Sequence, residues 1–498
     1  MRKLFRRFFN PAPKPSLDPW PLGRPLLRFG GQDYLTIGNA LENFLILGAT
    51  GSAKTSGSGR ALALGMLMAG FGGIVLTAKP TEREEWETYC REAGRSSDLL
   101  VFGPNEPLRF NFMNYELARP GAGAGLIENL VSLFSTIFEI AERTAGSGGG
   151  REDEGYWRRA CRQLLRCAID LLVMATGSVS IPDLYRLIIT APMSPTELRN
   201  PEWQAKSFCF QCMQAADKVN KSEQARRDYG IICDYFLIEL PGLSEKTRSV
   251  IISTFTSMAD LFLRGMLRDL FCGATNVTPD TVAKGKILLI DMPIKGFNEV
   301  GQIAQVIWKY TFQRAIERRD VRHSPRPVFL WMDEAQNFLT SHDMQFLTTC
   351  RSARAATVLI SQNVSNFYAV LGGNDKGRAE ADSIFANCNT KVFHANADNV
   401  TNQWASELIG RTLQSFANGN NTQSDDWVAT ALGFGGSGQT SGGFSESFEL
   451  EVQPSRFTQL RTGGVAHDRY VDAIVVQNGR LFKTTGRNWM PVTFRQTR

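Results

Sequence analysis

One short stretch constrains this chain more than any other: an apolar run that stops at a glycine-rich loop. Residues 44–47, FLIL, show no polar alternation, the pattern of a strand buried on both faces. Gly48-Ala49-Thr50-Gly51-Ser52-Ala53-Lys54-Thr55 follows, and then SGSGRALALGMLM, which reads as a helix. Strand, glycine-rich loop and helix in that order are the setting of a phosphate-binding P-loop. Successive backbone N–H groups at a helix N-terminus make a positive nest for phosphate. Lys54 is placed to reach the β- and γ-phosphates of ATP, and the Thr55 hydroxyl to ligate the Mg²⁺ that bridges them. The common pattern has Gly before the lysine. Ala53 stands there instead, a methyl group that could tighten the approach of backbone to phosphate.

A second apolar strand, in PVFLWMDEAQNF, delivers Asp333 and Glu334 at its C-terminal end, where doubly wound sheets bind ligands. Asp333 is expected to hold Mg²⁺ through water. Glu334 is expected to orient and deprotonate an attacking water. DEAQ also occurs in two-lobed helicases, but there the two motifs lie much closer, whereas 279 positions separate Lys54 from Asp333 here. No second lobe of that kind follows. A third run, CRSARAATVLISQN, leads into a strand that ends on Ser361-Gln362-Asn363. An amide at Gln362 would sit beside the Asp333 strand, within reach of a γ-phosphate. Arg351 and Arg354 precede that strand. An arginine at a subunit boundary could neutralise charge on a neighbour's nucleotide; the plain alternative for both is a solvated helix face.

The same class of run recurs at 74–77, 99–102, 287–290, 357–360 and 391–393, with helical patterns between, so the fold class is α/β with a mainly parallel sheet. The expected organisation is a basic N-terminal arm (1–30), the first part of the α/β core (31–114), an all-α insertion (115–245) and the second part of the core (246–412). A flexible Gly/Asn/Ser-rich segment (413–450) and a basic C-terminal segment (451–498) complete it. The net charge of +6 belongs to the ends: residues 1–30 carry +6 and residues 452–498 another +6, leaving the body at −6. The body therefore has no general nucleic-acid signature. Nine irregularly spaced cysteines fit free thiols in a reducing cytosol. The uncharged stretch 61–78 is long enough to span a membrane, but Gly70, Gly72 and Gly73 break it, so a buried helix, a turn and a buried strand are expected. A cytoplasmic protein is expected, with a basic arm able to lie peripherally on the inner membrane.

Taken together, GATGSAKTSGSGR, LTAKPTE, GKILLIDMP, WMDEAQNF, RSARAATVLISQN and NTKVFHANADNVTNQWASELIG resemble the type IV secretion coupling proteins. These are conjugative DNA-transfer ATPases of the FtsK–HerA superfamily of ring motors. The resemblance covers about 30–112 and 246–412. It implies a RecA-like core with an inserted all-α domain, a homohexamer, and ATP-driven movement of DNA, single- or double-stranded. It also implies that Gln362 is the third ATPase motif and that Arg351 is the better finger candidate. Family members usually carry N-terminal transmembrane helices, and this chain shows none. The family often has Asp-Pro-Lys at the end of the second strand; Thr77-Ala78-Lys79 keeps the lysine without the acid, so no role is assigned there. The rival expectation is a nucleotide-dependent scaffold or switch that recruits a partner protein of a transfer or defence system, such as a nuclease, without translocation.

Overall fold

The computed structural model describes residues 18–121, 123–144, 152–422 and 439–496. Two short strands, β1 (Pro25–Gly30) and β2 (Asp33–Thr36), pair antiparallel at the start. All seven apolar runs form strands: β3 (Phe44–Leu47), β4 (Gly72–Leu76), β5 (Leu99–Phe102), β6 (Ile287–Ile290), β7 (Val328–Met332), β8 (Ala355–Ser361) and β9 (Thr390–Phe393). They run parallel in the order β9-β3-β8-β7-β4-β6-β5. Every residue of β3, β4, β6, β7, β8 and β9 is buried. Elements on both faces cover the sheet, and this removes the polar alternation of a one-sided strand. Strand β8 lies between β3 and β7, so the C-terminal ends of these three strands are neighbours at one edge.

The helices that matter to that edge are few. After one π-helical turn (Thr55–Gly59) comes α1 (Arg60–Met68), and α2 (Glu82–Glu92) follows β4. Between β5 and β6 every element is helical, including α3 (Ile127–Thr144), α4 (Glu152–Thr176) and α5 (Glu245–Leu263). The long α6 (Ile294–Glu317) is buried along most of its length, where Trp308 stacks on Phe110 at 4.1 Å. Then come α7 (Ser341–Thr349) and α8 (Asn399–Ile409). The stretch 61–78 divides into most of α1, a turn at Gly70 (φ +85°) and β4. A Cβ on Gly72 would come within 1.9 Å of the Val282 carbonyl oxygen, and one on Gly73 within 2.4 Å of the Phe329 ring, so packing demands both glycines. Among the described residues no single helix is long and apolar enough to cross a membrane.

Two expectations change towards the ends of the chain, and a third segment gains structure. Residues 18–30 are docked instead of forming a free arm: the Asp18 carboxylate pairs with Arg354, Trp20 Nε1 donates to the Ala69 carbonyl at 2.8 Å, and the Arg326 guanidinium lies 4.7 Å over the Trp20 ring. Residues 1–17 lie outside the described residues. The segment expected to be flexible, 413–450, pairs at its two ends as an antiparallel ribbon, β10 (Arg411–Thr422) with β11 (Gln439–Leu450); residues 423–438 lie outside the described residues. Backbone hydrogen bonding makes such a ribbon without needing apolar side chains. The basic C-terminal segment contributes β12 (Tyr470–Gln477) and β13 (Trp489–Arg495), which extend the sheet antiparallel beyond β9 to nine strands.

Candidate nucleotide site

The loop after β3 is pinned at its start. The Gly48 N–H donates to the Gln362 carbonyl (3.2 Å) and the Ala49 N–H to the Ala395 carbonyl (2.8 Å), which ties the loop to β8 and β9. A Cβ on Gly48 would meet Ser52 Oγ at 2.5 Å and His394 Cβ at 2.7 Å, so only glycine fits. Gly51 and Ala53 both take left-handed backbone, at φ +80° and +58°. The N–H groups of Gly51, Ala53 and Lys54 meet no acceptor among the described residues, and Ser52 Oγ is buried without a partner. Orphaned donors around a tight loop at a helix start match what a phosphate group needs. The first helical turn is held from below by His394, at the end of β9. Its Nδ1 faces the Asp472 carbonyl (3.1 Å), which can only accept, so Nδ1 carries the proton. Nε2 then accepts from the Ser58 hydroxyl at 2.7 Å. Burial pushes the imidazole down to about 4, so it is neutral at pH 7.

Opposite the loop stand the two acids. Asp333 is buried; its Oδ1 accepts the Glu334 N–H (2.9 Å) and its Oδ2 accepts the Thr55 hydroxyl (3.1 Å). Glu334 is also buried and sits at φ +49°, a left-handed turn that brings its carboxylate towards the β8 end. Its Oε2 accepts from Gln336 Nε2 (3.1 Å) and its Oε1 from Gln362 Nε2 (3.4 Å). Gln336 is itself oriented by the Ser361 hydroxyl at 2.8 Å. Burial opposes ionisation of Glu334, but the Gln336 amide, Lys54, Lys79 and Gln362 outweigh it and hold the carboxyl below its ordinary value. Burial lowers Lys54 as well, against the pull of Asp333 and Glu334. The paired oxygens of Thr55 and Asp333 are the hard donors Mg²⁺ takes.

Lys54, Thr55, Asp333, Glu334 and Gln362 thus meet at one sheet edge. Arg351 does not join them. It precedes β8, at the opposite edge, about 20 Å away along a seven-residue strand. Its side chain is 67% exposed and pairs with Glu42 at 3.1 Å. Arg354, the second finger candidate, is engaged structurally by Asp18 and by the Pro325 carbonyl (2.8 Å), in left-handed backbone at φ +51°. Gln336 and His394 were not singled out in the sequence as site residues, and Lys79 was noted there without a role. Lys79 follows an apolar strand as Asp333 does, and that placement was a usable signal. Thr77 is buried and donates its hydroxyl to the Ile290 carbonyl (2.7 Å), an acceptor that a carboxylate could not satisfy.

Residues 327–447 match the family described as the TraM recognition site of TraD and TraG. Among solved structures the chain is similar to the plasmid coupling protein TrwB in complex with the non-hydrolysable GTP analogue GDPNP. That match has 16% identity and a TM-score of 0.55, and covers 95% of this chain and 90% of that one. TrwB in complex with ADP and Mg²⁺ matches with 15% identity and a TM-score of 0.54, over 95% and 90% of the two chains. The unbound monoclinic form of the bacterial conjugative coupling protein TrwBdeltaN70 matches with 16% identity and a TM-score of 0.53, over 92% and 86%. No curated protein sequence matches the chain. The fold is therefore that of a conjugative coupling protein, a RecA-like core with an all-α region inserted in it.

Proposed function

We infer from this coupling-protein fold, and from the TraD/TraG segment within it, that the chain is an ATP-hydrolysing motor. It works as a homohexameric ring that binds DNA and moves it. One observation carries the reading: the Thr55 hydroxyl meets the Asp333 carboxylate at 3.1 Å, 278 positions away, with Glu334 and Gln362 beside them. Gly48 to Thr55 wrap the phosphates, and Lys54 neutralises the β- and γ-phosphates. Thr55 would ligate Mg²⁺ and Asp333 would hold it through water, and the ion when bound would supply further positive charge to the phosphates. Glu334, ionised at neutral pH, orients an attacking water and takes its proton. Gln362 reports the γ-phosphate to β8 through its contact with Glu334. Arg351 serves a neighbouring subunit's site, since it is exposed and remote from its own. A pore needs few basic groups per subunit, because six copies multiply them. The 327–447 segment offers a docking place for a partner protein of a DNA-transfer system.

Paired variants test the site. Lys54→Ala should abolish nucleotide binding. Glu334→Gln should keep binding and lose hydrolysis by roughly two orders of magnitude or more, as removal of a general base does. Near-normal turnover of Glu334→Gln would assign the base elsewhere. The second reading, a nucleotide-dependent scaffold that recruits a nuclease, is favoured by the −6 charge of the body. DNA-stimulated turnover separates the two, because a scaffold that does not translocate gains nothing from DNA.

A further inference from the structure

Lys79 stands just past the C-terminal end of β4, with its Nζ 3.4 Å from Asp333 Oδ2 and 3.5 Å from Glu334 Oε1. Asp333 Oδ2 is the same atom that accepts the Thr55 hydroxyl. Mg²⁺ held by Thr55, and by Asp333 through water, would draw on that oxygen, so the ammonium and the hydrated metal would compete for it. The main chain under Lys79 is fixed. The Glu82 carboxylate accepts the N–H groups of Ala78 and Lys79, each at 3.1 Å, and Gln305 Nε2 donates to the Thr77 carbonyl at 2.8 Å. The side chain is a third exposed, so its flexible four-carbon stem is the part with room to move. Burial opposes its charge, but Asp333, Glu334 and Glu82 outweigh burial and keep it an ammonium.

We propose that Lys79 is the internal counter-cation of this site: it holds Asp333 and Glu334 together while nucleotide is absent, and gives up Asp333 Oδ2 when Mg²⁺ enters with nucleotide. The proposal rests on the nucleotide-site reading above. Lys79 is a positioning residue in this role. Its consequence is that free divalent metal binds poorly, because it must displace a paired charge, whereas metal arriving with phosphate brings new partners for the lysine. Without Lys79 the two carboxylates keep only Lys54 as a nearby cation, so a divalent ion meets one competing charge fewer.

The test is Mn²⁺ binding to the full chain without nucleotide, read by electron paramagnetic resonance. Lys79→Met should bind Mn²⁺ at least about tenfold more tightly than the native protein, the scale of removing one close competing charge. Lys79→Arg, which keeps the charge, should stay near native. Adding Asp333→Asn to Lys79→Met should remove the tight signal. Equal or weaker Mn²⁺ binding by Lys79→Met, or tight binding that survives Asp333→Asn, would overturn the proposal. Lys79→Gln replaces Lys79→Met should the latter fail to fold, with the same expected and contrary results. Binding of a fluorescent ADP analogue by the native protein, measured alongside, tests the nucleotide site separately. Absent ADP binding sinks that reading, and the Mn²⁺ result still decides the role of Lys79.

Discussion

Ala53, in the glycine-rich loop, and Glu334, just after β7, both hold left-handed backbone, at φ +58° and +49°. For a residue with a Cβ this conformation costs roughly 1–2 kcal/mol. At Glu334 the cost accompanies a carboxylate held between Gln336 and Gln362. At Ala53 the same turn is one that glycine makes freely, so the departure from the usual loop carries a conformational penalty in addition to any crowding of phosphate. Ala53→Gly should therefore raise unfolding free energy by about 1 kcal/mol, measured by denaturant titration. An unchanged or lowered midpoint would mean the loop is relaxed around alanine.

Among the elements, β9, the first turn after the glycine-rich loop and β12 are joined at a single imidazole. His394 is neutral in the fold because burial lowers it to about 4, whereas an unfolded chain protonates it near 6.5. Between those values the unfolded state binds more protons, so stability falls as pH drops from about 6.5 to about 4. The contribution is about 3 kcal/mol over that window. His394→Gln should flatten the pH dependence of stability by about that amount, and parallel curves for the two proteins would show that His394 is not buried neutral. Nothing local announces this contact: Ser58 is 336 positions from His394 and Asp472 another 78 beyond it. The buried strands β3 to β9 were legible because cover on both faces leaves an uninterrupted apolar run. The two motifs were legible because each sits where such a run stops. Strands β12 and β13 were not: the residues around them are basic, and charge dominated the reading of that segment. In β13 the burial alternates (Met490, Val492 and Phe494 inward), the mark of a strand with one exposed face. The ribbon β10–β11 was hidden for another reason. Its Gly, Asn and Ser content carries no apolar period, and its pairing is made by backbone.

At the scale of the whole molecule the proposed function draws on two edges of the sheet. The C-terminal edge gathers Lys54, Thr55, Lys79, Asp333, Glu334 and Gln362, while the N-terminal edge presents Arg351 beside Glu42. A subunit cannot bring one edge to the other, but a ring of identical subunits can set one subunit's Arg351 against its neighbour's nucleotide. On this account Arg351→Ala binds ATP nearly normally and hydrolyses it about a thousandfold more slowly, the scale of such fingers. Whether two subunits share one site is decided by mixing. Arg351→Ala and Glu334→Gln subunits, each inactive alone, are combined above the assembly concentration and ATP turnover is measured. Some interfaces of a mixed ring pair an intact Glu334 with an intact Arg351, so the account predicts recovered hydrolysis. Mixed oligomers that form and yet recover no turnover would contradict it.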